Sequence, residues 1–217
     1  MSSATSTRRD ARRNHERLLT EARALFAERG IDAPLDELAT RAGVGAGTVY
    51  RHFPNRAHLL REIYDDAIEM FERLAPEIAD APTGWRGIEL LLERLSEWVA
   101  ATPYLPDLMR RVAEDDPEHK PGLRFEEALE AVVARAKAEG SLRPDVEGVD
   151  LNMLVNMLGS IGRFGGDYLP YWRRQLAIVI DGLRARPDLE LLPEPPQSFT
   201  EFHDMAHRQA TGAPVGD

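Results

Sequence analysis

Residues 35–53 read LDELATRAGVGAGTVYRHF, and this stretch decides the fold. Pro34 suits a first helical position, where its missing N–H would have had no partner anyway. Asp36 and Glu37 follow in the first turn, where negative charge offsets the positive end of the helix dipole. Leu35, Leu38, Ala39 and Ala42 repeat with the i, i+3, i+4, i+7 spacing of a buried stripe. Gly43 ends the helix at low cost because it accepts positive φ, and apolar Val44 plugs the corner. A second helix is expected from about Gly45 to Phe53. Val49 and Phe53 share one of its faces, while Thr48, Arg51 and His52 look elsewhere. Pro54 disfavours helical geometry at Phe53 and closes the element. The product is a helix–turn–helix with a small-residue turn.

Outward from this pair, every periodic segment reads as helix. A first helix is expected over Asp10–Arg29, with Leu18, Ala22, Leu25 and Phe26 inward and Gly30 ending it. Further helices are expected over 56–75, 85–101, 107–114, 125–139, 149–163 and 171–184. Pro76 and the DAPTG stretch read as a connector. No segment alternates with period two for long, so the fold class is all-α. The expected division is 1–55 for an N-terminal arm and helix–turn–helix, and 56–187 for a helical body whose first helix connects the two. Residues 188–217, Pro-rich at first, read as a loosely packed tail.

The matching residues LLTEARALFAERGI (18–31) and LATRAGVGAGTVYRHFPNRAHLL (38–60) together resemble the DNA-binding domain of the TetR family of bacterial transcriptional regulators. The resemblance implies a three-helix DNA-binding domain followed by a helical ligand-binding and dimerisation domain. It also implies a repressor, although an activator without a small-molecule ligand and a helical protein–protein module stay open as alternatives. Tyr50 and Thr48 would contact phosphates through their hydroxyls. Arg51 is either a solvated charge or the base reader, through a bidentate bond to guanine. His52 is equally a backbone clamp or a base reader. Ala46 and Gly47 allow close approach to the bases, and Arg41 and Arg56 are placed to neutralise phosphates, which position a domain without specifying sequence.

Charge supports a DNA-facing N-terminus. Residues 1–61 carry eleven Arg and seven acids, a balance of +4, whereas the whole chain is −10 and the remainder is therefore −14. Arg8, Arg9, Arg12 and Arg13 form an arm that either enters a minor groove or is a solvated tail. Cysteine is absent, which excludes disulfides and cysteine metal sites and fits a reducing cytoplasm. No apolar run is long enough to span a membrane, and no secretory signal is expected.

Two late segments, LNMLVNMLGSIG (151–162) and LAIVIDGL (176–183), are apolar on more than one face and need a partner to cover them. A homodimer is expected, and the resemblance implies the same helices as its interface, with Gly159 and Gly162 permitting close approach or a kink. Trp98, Tyr104, Met109, Phe125, Met153, Met157, Phe164 and Tyr168 are expected to line a largely apolar pocket for an unidentified small molecule. No enzyme and no cofactor are expected. The HDMAH stretch (203–207) superficially resembles a zinc motif but has Asp in place of the general-base Glu. LGSIGRFGG (158–166) has spaced glycines without a preceding strand.

Overall fold

The computed structural model describes residues 2–119, 125–164 and 167–201. Every regular element among them is helical, and a single antiparallel bridge joins Leu142 to Arg184. Helix α1 (Ser2–Arg29) ends at Gly30, and α2 (Leu35–Arg41) and α3 (Ala46–His52) make the helix–turn–helix. At the corner Gly43 has φ +62°, a left-handed conformation that any Cβ would strain. The Val44 N–H then donates to the Ala39 carbonyl at 3.0 Å, locking the turn. Leu18, Phe26, Leu38, Val49 and Phe53 are buried together in this small head. Burial of that kind, rather than the propensity of seven-residue helices, holds α2 and α3 in place.

Helix α4 (Arg56–Ala79) starts at an Asn55 cap whose side chain accepts from the His58 N–H. It leaves the head and becomes the first helix of the body. The connector expected at Pro76 is instead helical, since α4 runs three residues beyond the proline to Ala79. The turn after it is anchored by buried Ile78 and by Arg135, which donates to the Ala79 and Pro82 carbonyls at 3.0 and 3.1 Å. Helix α1 also begins earlier than the expected Asp10.

The body is built around α5 (Gly84–Ala101), which packs on α4, α7 (Glu126–Ala138) and α8 (Gly148–Gly159). Helix α6 (Leu105–Asp115) lies against α4, and α9 (Leu169–Gly182) lies against α8. After α8 the chain tightens into a 3₁₀ turn over Ser160–Phe164. Gly159 and Gly162 face inward rather than toward a partner. A Cβ at 159 would lie 2.5 Å from Val99 Cβ, and one at 162 would lie 2.6 Å from the Ala100 carbonyl carbon. Their close approach is made to α5 within the chain.

The stretch after Pro187 is less loose than its composition suggests. Leu192 N–H donates to Asp145 at 2.7 Å, Arg143 donates to the Glu190 carbonyl at 2.9 Å, and Phe199 is buried. Asp145 is held well below the usual carboxylate range, first by its paired bond with Arg143. The HDMAH stretch lies outside the described residues.

Candidate nucleic-acid interface and regulatory cavity

Helix α3 is short, and its two faces differ in kind. Val49 and Phe53 are fully buried, whereas Tyr50 is 49% exposed and Arg51, Ala46 and Gly47 are exposed beside it. Thr48 is half-buried. Arg51 folds back on its own helix, donating to the Gly47 carbonyl and to Thr48 Oγ1, both at 3.1 Å. Such exposed bonds exchange readily with water or another acceptor. The outward surface of α3 is therefore a phenol, a hydroxyl and a guanidinium around a glycine whose Cα has open space.

His52 has a different setting. Its ring lies 5.3 Å from that of His15, and the two Nδ1 atoms are 3.3 Å apart. His15 Nε2 bonds the Glu62 carboxylate, so one of the Nδ1 atoms carries the hydrogen between the rings. The cluster ties α3 to α1 and α4. Burial, then the neighbouring His15 and Arg51, pulls His52 below the ordinary histidine value. Sequence reading missed His15, although a polar side chain three residues before Leu18 on the buried stripe was the available signal.

Arg41 and Arg56, expected to neutralise phosphates, are engaged elsewhere. Arg41 grips the Glu28 carboxylate with both terminal nitrogens, at 3.1 and 2.5 Å, joining α2 to α1. Arg56 reaches back from α4 to the Ile31 carbonyl and, at 2.7 Å, to the Ala33 carbonyl. These carbonyls belong to the α1–α2 connection, which has few helical donors to satisfy it, and a half-buried guanidinium supplies them. Arg56→Lys keeps the charge but cannot span both acceptors. It is expected to cost about 1–2 kcal/mol of stability, read as a lowered melting temperature with the salt dependence of DNA binding unchanged. An unchanged melting temperature for Arg56→Gln, with weaker and less salt-dependent binding, would return Arg56 to the phosphate role.

In the body, a cavity of about 450 Å³ opens where α1, α4, α5 and α6 meet. Of the residues expected to line a pocket, Trp98 and Tyr104 line this cavity. Ile63, Ala67, Met70 and Leu108 supply apolar wall, and Arg23, Asp66, Glu69 and Arg73 supply charge. Arg23 pairs with Asp66, bridging α1 to α4 at the cavity wall. Met109 is half-buried on α6, Phe125 is buried and stacked 5.9 Å from Phe71, and Tyr168 is half-buried at the start of α9. Met153, Met157 and Phe164 are exposed. Those residues are scattered because side-chain type marks apolar surface but not where helices fail to meet.

Comparison with known proteins agrees with this architecture. The family described as bacterial regulatory proteins, tetR family, matches residues 18–63, and the transcriptional regulator SbtR-like C-terminal domain matches residues 90–185. An HTH-type transcriptional regulator of Staphylococcus aureus (strain USA300) is 31% identical over 74 residues, 34% of this chain. The match spans 40% of that relative's length. A TetR transcriptional regulator from Streptomyces coelicolor has a solved structure 28% identical, with TM-score 0.61, covering 79% of this chain and 98% of its own. A TetR regulatory protein from Mycobacterium vanbaalenii is also 28% identical, with TM-score 0.59, covering 82% and 99%. These relatives are transcriptional regulators rather than enzymes. With a reading head and a helical body matched in the same order along the sequence, the chain belongs to the TetR family of bacterial transcriptional regulators.

Proposed function

We propose that the protein represses transcription as a homodimer, each protomer laying α3 in the major groove of one half of a pseudo-palindromic operator. The observation that carries this reading is the two-faced α3, with a buried Val49–Phe53 edge and an exposed Tyr50 beside Arg51 and Thr48. Tyr50 and Thr48 hold phosphates. Arg51, released from its own helix, reads a base, and Ala46 and Gly47 let the backbone come close. His52 acts as a clamp from behind, while Arg41 and Arg56 position the helix pair. The repressor direction follows from the family resemblance.

Dimerisation is supported by the outward faces of α8 and α9. Met153 and Met157, four residues apart, and Tyr171 and Ile178, seven apart, each share a face, and Met157 and Tyr171 are 62% and 72% exposed. Apolar surface of this kind marks a contact site. A two-fold pair of reading helices also needs half-sites about 34 Å apart, or a multiple of it. Sedimentation at micromolar concentration is expected to give a dimer, and Ile178→Asp to give monomer with operator binding lost. Monomer alone in the wild type, with operator binding intact, would contradict the proposal.

A small molecule in the cavity between α1, α4, α5 and α6 would release the DNA. Its wall includes the Arg23–Asp66 pair that joins head to body, so a guest that spreads α4 from α6 changes the tilt of the head. The two reading helices then no longer match the groove spacing. Reversing the population requires several kcal/mol of differential affinity between the two shapes.

A further inference from the structure

We infer that His15 and Glu62 are positioning residues for DNA binding, which act through His52 so that each protomer takes up one proton when it closes on a backbone phosphate. The inference rests on the DNA-reading function proposed above and gives the His52 clamp its chemistry. His52 is the last residue of α3. Its Nδ1 faces His15 Nδ1 at 3.3 Å, and His15 Nε2 is bonded to the Glu62 carboxylate. His52 Nε2 has no partner among the described residues and is not a buried atom. The hydrogen bond at one ring nitrogen sets the state of the other. This outer nitrogen sits on the same helix as exposed Tyr50 and Arg51, where a phosphate can meet it.

Hydrogen count limits what this chain of groups can do. Two neutral imidazoles have four ring nitrogens and two hydrogens between them. One hydrogen is fixed between the facing Nδ1 atoms, because two bare lone pairs at that distance repel. The other goes to the Glu62 carboxylate, which is already in place. His52 Nε2 is then left with a lone pair, which a phosphate oxygen repels. One added proton supplies a third hydrogen, so both outer nitrogens donate, one to Glu62 and one to the phosphate, in charge-assisted bonds. A second added proton would set two hydrogens between the Nδ1 atoms and break the tie between α1 and α3. The pair is therefore suited to one extra proton, and a bound phosphate is what calls for it.

The surroundings decide where that proton rests. Burial first, then His15 and Arg51, holds His52 below the ordinary histidine value, whereas Glu62 faces His15 directly. The charge therefore sits on His15, between a carboxylate and a neutral His52. Other charges nearby are engaged. On α1 Arg12 pairs with Glu16 at 2.8 Å, and on α3 Arg51 is folded on its own helix. On α4 Asp65 and Asp66 are bonded to His119 and Arg23, and His58, one turn before Glu62, is exposed. Phe53 lies 5.0 Å from the His15 ring and 6.3 Å from the His52 ring, packing against both. Because the DNA-bound state holds the extra proton, affinity rises as pH falls toward the ordinary histidine value of about 6.5. The limiting steepness is about tenfold per pH unit for each protomer.

The test uses the full chain and a selected operator duplex at fixed salt. Calorimetric titration at about pH 8, in buffers of different ionisation enthalpy, counts the protons taken up on binding, and about one per protomer is expected. His15→Asn can offer an amide N–H to His52 Nδ1 without titrating, so it should bind with that uptake lost and with a flatter pH dependence. Glu62→Gln removes the charge facing His15, so it should bind more weakly at about pH 8 and shift the pH dependence downward, with base preference unchanged. A cluster that only braces the head would change melting temperature and affinity alike at every pH and leave the proton count as it was. Wild-type binding without proton uptake overturns the inference, and that measurement needs no variant to fold. A folded His15→Asn protein that takes up as many protons as the wild type overturns it as well. Absence of DNA binding by the wild type itself is a different result, and brings down the function reading together with this inference.

Discussion

Replacing Phe53 by alanine is expected to remove DNA binding by unfolding the reading head, at a cost of about 3–5 kcal/mol. Phe53 is fully buried, caps the end of α3 and lies 5.0 Å ring to ring from His15. It is one of few large side chains in a small core. Its loss removes the anchor that makes a seven-residue helix stable, and neighbours held by the His15–His52–Glu62 cluster cannot collapse into the space. Against a typical total stability of about 5–15 kcal/mol, the change should lower the melting temperature by about 6–20 °C. Tyr50→Ala makes the contrast, because an exposed side chain on the other face should cost no more than about 0.5 kcal/mol while still weakening binding to every DNA sequence. A Phe53→Ala protein that melts with the wild type would mean that α3 is held by something other than this core.

Gly84→Ala is expected to damage the body strongly through a single methyl. A Cβ there would stand 2.7 Å from Ala136 Cα and 2.9 Å from the Arg135 carbonyl carbon, both backbone atoms of α7. That backbone cannot move aside as a side chain would. Arg135 pins it to the Ala79 and Pro82 carbonyls, and the Gly84 N–H is bound to both oxygens of Glu139 at 3.0 and 2.8 Å. Overpacking of this kind costs about 1–3 kcal/mol, and loss of the Glu139 bonds adds to it. Gly47→Ala, where a Cβ meets open space, should instead gain about 0.5–1 kcal/mol from helix propensity. Thermal unfolding of the two variants is expected to move in opposite directions. A Gly84→Ala protein as stable as the wild type would show that α5 and α7 can separate freely.

The head was legible because its signals are local. Gly43 at the corner, the buried Val49 and Phe53, and the end of α3 before Pro54 all follow from residues within one or two turns of one another. What was not legible depends on helices meeting from far along the chain. Arg56 is basic and follows the reading helix, so it reads as a phosphate ligand until the Ile31 and Ala33 carbonyls are seen beside it. Pro76 reads as a break because the later contacts of Arg135 and Ile78 are invisible at that point. Gly159 and Gly162 read either as close-approach positions in a dimer interface or as a kink, whereas the close approach is to α5 of the same chain. The cavity was the least legible feature. Its walls come from four helices, and aromatic and methionine content points equally to core, to pocket or, at 87%-exposed Phe164, to outer surface.

Whether α3 reads DNA is decided at Arg51. After selection of bound genomic fragments with the purified protein, affinities of wild type and Arg51→Ala for the operator and its single-base variants decide it. The wild type should bind with a steep loss of affinity as salt rises. Arg51→Ala should lose discrimination at one symmetry-related base position, by about 1–3 kcal/mol, with the other positions unaffected. Unchanged base preference in the Arg51 variant would remove it as the base reader, and salt-independent or absent binding by the wild type would contradict the account as a whole.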